Sequence, residues 1–203
     1  MRGMTADLYK LPADLRQALT SELQHGERVL YAGQPDWRAE WGKLLAILLF
    51  GLFWSGIAFT FLGISAASLF GIQPMTSDGK PSGLGLEIFV FCFSLPFVAI
   101  GCAFLAAPFL GIRKSRSTVH AVTDTRLLTV YGAPVGGADS YNLKIINFIK
   151  RRDHRDGSGS LSIGYGVEKD SDGDPRPLTI DWTGIPEARL AETMIYELRN
   201  RAR

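Results

Sequence analysis

Leu44–Phe70 reads LLAILLFGLFWSGIAFTFLGISAASLF, and Ile88–Ile112 reads IFVFCFSLPFVAIGCAFLAAPFLGI. The first stretch holds 27 residues and the second 25 without one Asp, Glu, Lys, Arg or His. A helix rises about 1.5 Å per residue and a bilayer's hydrocarbon core is roughly 30 Å thick, so about 20 apolar residues are enough to cross it. Both stretches exceed that length. Leu44–Phe70 would be about 40 Å long as a helix, long enough to tilt or to emerge past the headgroups. The pair predicts a transmembrane hairpin with helices at 44–70 and 88–112, joined by an external loop at 71–87.

Averages over the whole chain conceal this. The 203 residues are 46% hydrophobic, with 22 Lys+Arg against 20 Asp+Glu and a net charge of +2. That balance excludes a polybasic nucleic-acid binder and an acidic disordered chain. The first apolar run begins beyond residue 40, behind a polar segment, so it reads as a retained anchor and not a cleaved leader. Orientation follows from Lys and Arg placement. Residues 1–43 carry six basic side chains (Arg2, Lys10, Arg16, Arg28, Arg38, Lys43), the external loop only Lys80, and Arg113, Lys114 and Arg116 follow the second stretch at once. The positive-inside rule then puts both termini in the cytoplasm, in a two-span protein of a bacterial inner membrane.

Within the spans, small residues recur four apart: Gly51 with Ser55, Gly56 with Thr60, Gly63 with Ala67, Ala103 with Ala107. Such positions let helix backbones approach closely, for packing within the hairpin or between copies in a homo-oligomer. Pro96 falls mid-span and predicts a kink. Ion and substrate pathways use intramembrane ionisable residues, and these spans have none, which counts against a channel or pump. Cys92 and Cys102 both lie in the second span and read as small apolar side chains, not as metal ligands.

Before the hairpin, Leu8, Leu11, Leu15, Leu19 and Leu23 recur at helical spacing, with Pro12 at the first turn and Gly26 as a C-cap. This amphipathic helix carries mixed charge, which favours packing on a domain over lying on a membrane. A short apolar run, 28–32, and Trp37 and Trp41 precede the first span. Behind the second span the period changes. Residues 118–123, 126–131, 141–150, 160–167 and 178–182 read as short strands separated by turns, and from Pro186 a helical pattern runs to the end. The expectation is an antiparallel sheet or barrel closed by a C-terminal helix at 186–202, within a mainly-β cytoplasmic domain at 113–203. Residues 1–43 form a cytoplasmic amphipathic helix and short strand.

Gly26-Glu27-Arg28-Val29-Leu30-Tyr31 and Gln34-Pro35 stand ahead of the hairpin. Val122-Thr123-Asp124-Thr125-Arg126-Leu127-Leu128, Asp156-Gly157-Ser158-Gly159-Ser160-Leu161 and Trp182-Thr183-Gly184-Ile185-Pro186 stand behind it. In these pieces and their order the chain resembles bacterial membrane-anchored pleckstrin-homology-like domains. The resemblance implies a partly open seven-stranded antiparallel barrel with one end capped by the helix. It implies no catalytic residue.

Three motifs remain. Asp170-Ser171-Asp172-Gly173-Asp174 mimics a calcium loop, yet Pro175 stands where that loop needs Gly and the flanks read as strands, so a solvated hairpin is expected. His25, His120 and His154 form no triad or metal set with their neighbours. Lys150-Arg151-Arg152-Asp153-His154-Arg155 is the densest basic cluster, read as a loop; Lys150, Arg151, Arg152, His154 and Arg155 are the candidate contacts for anionic lipid or a protein partner. No catalytic, cofactor-binding or metal-binding residue emerges, and no nucleic-acid site. The chain reads as a non-enzymatic membrane protein whose domain binds a protein partner or the membrane surface, in a scaffold or assembly role. The alternatives are a membrane-bound enzyme whose site forms only on oligomerisation, and a small subunit of a transport complex.

Overall fold

The computed structural model describes residues 8–72, 76–77, 80–81, 83–171 and 173–202. The chain divides into two compact units, one made of the residues up to Glu40 together with those from Ile112 onward, the other of Trp41–Gly111. The segment before the hairpin and the residues behind it thus belong to the same unit.

In this β unit, helix α1 (Ala13–Glu22) leads into strand β1 (Val29–Gly33). Pro12 is the N-cap, its carbonyl accepting from Arg16 N at 2.9 Å. The helix ends at Glu22, earlier than Gly26. That glycine, at φ 83°, belongs to the following turn, closed by Glu27 N donating to Gln24 O at 3.0 Å. After the hairpin come β4 (Thr118–Thr123), β5 (Arg126–Tyr131), β6 (Ala138–Asn142), β7 (Phe148–Asp153), β8 (Ser158–Lys169), β9 (Pro175–Pro186) and helix α4 (Ala188–Ala202). They form two antiparallel sheets, one ordered β1-β4-β5-β6 and the other β7-β8-β9. β1 pairs directly with β4, Gly33 opposite His120. The whole hairpin is therefore an insertion between two neighbouring strands.

All six residues of β4 are buried. Its inner face joins a core of Tyr31, Val122, Leu127, Leu161, Ile163, Trp182, Ile185 and α4's Ala191 and Ile195. Its outer face is covered by α1 and the residue before its cap, where Leu19 and Leu11 meet Val119, Ala121, Leu128 and Val130. The N-terminal helix packs on the sheet, as its mixed charge suggests. Gly132 permits the approach, since a Cβ there would stand 2.7 Å from Leu15 Cδ2.

The strand expected at 141–150 is two strands and a turn. Asn142 Oδ1 accepts from Lys144 N at 2.9 Å and starts a 3-10 turn, Leu143–Ile145, that carries the chain from one sheet to the other. Leu143, Ile146 and Ile149 are all buried. Their three-residue spacing, an apolar pattern that alternation does not produce, marks the corner.

The second unit holds α2 (Trp41–Leu69) and the part of α3 (Leu84–Arg116) up to Gly111, with a two-residue strand pair, β2 (Thr76–Ser77) and β3 (Lys80–Pro81), between them. Both helices are long and apolar enough to cross a membrane, with mean hydropathy 2.2 and 2.5 over their best windows. α2 starts three residues before its expected span and ends one short of it, while α3 exceeds its span at both ends and begins inside the expected external loop. Gly51, Ser55 and Ala58 of α2 and Ser94 and Gly101 of α3 are buried. Gly101 lies against Ser55, where a Cβ would stand 2.6 Å from the hydroxyl oxygen. Gly56, Thr60 and Gly63 face outward instead. α3 continues through Pro96 and Pro108. Trp54 Nε1 donates to Phe97 O at 3.1 Å, and the Ser68 hydroxyl donates to Glu87 Oε1 at 2.6 Å.

Candidate functional site

The basic cluster is not a loop. Lys150, Arg151 and Arg152 lie on β7, and only His154–Gly157 forms the turn into β8. Because strand side chains alternate, the cluster is divided between two faces. Arg151 shares a face with the buried Ile149 and opposes Leu161 in the ladder. Its guanidinium pairs with Glu192 of α4 and, at 2.8 Å, with Asp153. It ties β7 to the closing helix and is spent there. Lys150 and Arg152 lie on the opposite, exposed face, with Lys150 Nζ 5.3 Å from the Phe148 ring centroid. His154 Nε2 lies 2.8 Å from Ser160 Oγ, and Arg155 projects from the turn. Among the described residues Lys150, Arg152 and Arg155 make no ion pair. The structure thus separates one structural arginine from three accessible cations.

Two interior clusters went unnoticed in the sequence. The first joins Glu27 to the turn between β4 and β5. Glu27 Oε1 accepts from Thr123 Oγ1 at 2.7 Å, Thr125 Oγ1 at 3.0 Å and Arg126 Nε at 2.9 Å. Oε2 accepts from Arg126 Nη2 and from Gln24 N, both at 2.8 Å. The Glu27 side chain is 2% exposed. The Arg126 guanidinium, aided by the backbone N–H of Gln24 and the two threonine hydroxyls, outweighs burial and holds this carboxyl down at about 2. The same pairing raises Arg126. Arg126 also donates to Glu22 O at 2.8 Å, and Arg28 N to Asp124 Oδ1 at 3.1 Å. Glu27 and Arg126 stand 99 residues apart, but each falls inside a short motif flanking the hairpin, and that pairing of motifs is the signal that could have found them.

The second cluster is His120, stacked on Trp182 with ring centroids 4.9 Å apart. Trp182 Nε1 donates to Thr129 Oγ1 at 3.2 Å, and His120 Nδ1 lies 3.1 Å from the same hydroxyl. An indole N–H can only donate, so Thr129 accepts it, and the hydroxyl's remaining lone pair and proton can meet His120 Nδ1 in either tautomer. Burial keeps this imidazole neutral, lowering it to about 3.

The Asp170–Asp174 segment closes the β8–β9 hairpin. Asp170 N donates to Asp174 O at 2.9 Å, and Asp170 pairs with Arg176 at 2.5 Å. Asp181 is exposed along β9 opposite Ser162, removed from that tip, and Asp172 lies outside the described residues. Among the described residues no cluster of His, Cys, Asp and Glu could hold a metal ion. Within the hairpin, an apolar groove of about 380 Å3 is lined by Trp54, Ile57, Phe61, Val90, Phe93 and Phe97 among others. Cys92 and Cys102 are free and exposed on α3.

Comparison with family models, with curated proteins and with solved structures gave no match to this chain.

Proposed function

We propose that this chain is a non-enzymatic integral membrane protein of the bacterial inner membrane, both termini cytoplasmic. Its β unit is a pleckstrin-homology-like binding module that serves as a scaffold for a protein partner. The four-plus-three arrangement of antiparallel strands followed by a closing helix supports the barrel reading. Arg113, Lys114 and Arg116, exposed at the end of α3, support the orientation. The observation that carries the binding role is the use of the ionisable groups. Glu27, Arg126, Arg151 and His120, which a catalytic site would draw on, are all committed to holding the unit together, while β6 is left as an exposed sheet edge.

An exposed edge offers backbone N–H and C=O groups to an incoming strand. Asp139 and Ser140 are exposed on β6, at the margin of the four-stranded sheet. A photo-crosslinker placed at Asp139 in native membranes should capture one protein in stoichiometric yield. The adduct should vanish on Ser140→Pro, and a crosslinker at the exposed Glu197 of α4 should not give it. Recovery of the protein alone, with turnover of a small molecule, would replace the scaffold with the enzyme reading.

A further inference from the structure

The loop between β5 and β6, Gly132–Gly137, reads GAPVGG and carries no charge. Ala133–Gly137 are all exposed, and Val135, at 76%, is the most exposed large aliphatic side chain described in the β unit. A loop tip in water gains nothing from such a residue.

Its root explains where the tip can reach. Gly132 N donates to Ser117 O at 2.6 Å, and Ser117 N in turn bonds Arg113 O at 3.0 Å and Lys114 O at 3.1 Å. The loop therefore hangs from the last turn of α3, where the chain arrives from the second span, beside the exposed Arg113, Lys114 and Arg116. A second route leads to the other crossing. His154 Nε2 lies 2.8 Å from Ser160 Oγ, Gly184 N donates to that oxygen at 3.4 Å, and Asp36 N donates to Gly184 O at 2.8 Å. Gly184, at φ 66°, allows this contact, since a Cβ there would stand 2.5 Å from Asp36 O. Asp36 lies just before Glu40, where the chain leaves for the first span. The turn bearing Arg155 is thus fastened to the segment that enters the membrane.

We propose that the Gly132–Gly137 loop and the turn at Arg155 form a lipid-docking face. Val135 enters the boundary between headgroups and acyl chains, and Arg116 and Arg155 bind anionic headgroups. One aliphatic residue and two cations would not recruit a free domain. Here the surface belongs to a unit joined covalently to both helices of the hairpin, so the contact forms at high effective concentration and a weak interaction suffices. The proposal rests on the two-span reading and fixes which end of the β unit meets lipid.

The test uses the full chain with Cys92→Ala and Cys102→Ala, in liposomes of phosphatidylcholine with phosphatidylglycerol. Single cysteines at 135, at 53 in α2 and at 168 in β8 carry a nitroxide label, and collisions with oxygen and with a water-soluble nickel chelate report depth. Position 53 should favour oxygen and position 168 nickel. Position 135 should show an oxygen-to-nickel ratio several-fold above that at 168. A label at Ala133 should rank beside 135, which guards against a local effect of either substitution. In phosphatidylcholine alone, or with Arg116→Glu and Arg155→Glu, the ratio at 135 should fall toward that at 168. A ratio at 135 equal to that at 168, with 53 deep, would overturn the docking face. An undiminished ratio after both charge reversals would overturn the role of the arginines. Nickel access at 53 would instead overturn the two-span reading beneath it.

Discussion

The two units bury opposite chemistry. In the hairpin, Phe53, Phe89 and Phe93 point outward, 58–68% exposed, while Gly51, Ser55, Ser65, Ser68, Ser94 and Gly101 are buried. In the β unit, Trp182, Leu15, Leu127 and Ile195 are fully buried. On the proposed two-span reading, the same residue types change places because the solvent changes. Water drives large apolar side chains inward at about 25 cal/mol per Å2. Hydrocarbon offers no such drive, so helices there associate through close backbone approach and polar contacts, and the large side chains face lipid. An aromatic residue should therefore be essential in one unit and dispensable in the other.

The largest expected effect tests the β unit. Trp182→Ala removes a fully buried ring, the stacking partner of His120 and the donor to Thr129, and should cost about 3–5 kcal/mol. Limited proteolysis across a urea series should show the β unit cleaved at lower denaturant while the span fragments stay intact. Next is Glu27→Gln, which leaves a partly buried Arg126 without its charge partner and should cost about 3 kcal/mol.

The same clasp gives a pH signature. Glu27 is held at about 2 against an ordinary 4.5, so the unfolded chain binds more protons in that window. Its stabilisation is present above pH 4.5 and is lost as pH falls toward 2. His120, held at about 3 against 6.5, acts in the same direction, weakening the native state between pH 6.5 and 3. Unfolding midpoints should fall on acidification from pH 6.5, and Glu27→Gln should flatten only the part below 4.5.

In the hairpin the order reverses. Gly101→Leu forces a side chain against Ser55 and should cost about 1–3 kcal/mol of helix packing, read as increased cysteine accessibility along the buried face. Phe53→Ala removes an aromatic ring 68% exposed to the surroundings, and should shift hairpin stability by less than about 0.5 kcal/mol. A large loss at Phe53, or none at Gly101, would break the contrast between the units.

How far the sequence carried this picture depended on how local each signal is. The two long apolar helices are legible because a charge-free run needs no partner to be recognised. β4 and β5 are legible at their observed ends because the turn Asp124-Thr125 separates them. The alternation that identifies a half-buried strand fails in β4, since α1 covers its second face. The corner at 143–146 was lost because Leu143 and Ile146 pack into the core with Trp182 and Ile195, which no short window reveals. The candidate site suffered most. Arg151 and Arg152 are adjacent and chemically alike, and only strand alternation together with Glu192, 41 residues away, makes one structural and leaves the other free. The Glu27–Arg126 clasp spans the entire hairpin.

In the proposed topology the hairpin crosses the bilayer twice and returns to complete the domain it interrupts. Single cysteines at Asp14 in α1, Ile72 beyond α2 and Arg152 in β7, in intact spheroplasts, report this topology through a membrane-impermeant thiol reagent. Position 72 should be labelled from outside at once, while 14 and 152 should label together and only after permeabilisation. Labelling of 14 and 152 from opposite sides would contradict the insertion, because β1 and β4 could not then pair.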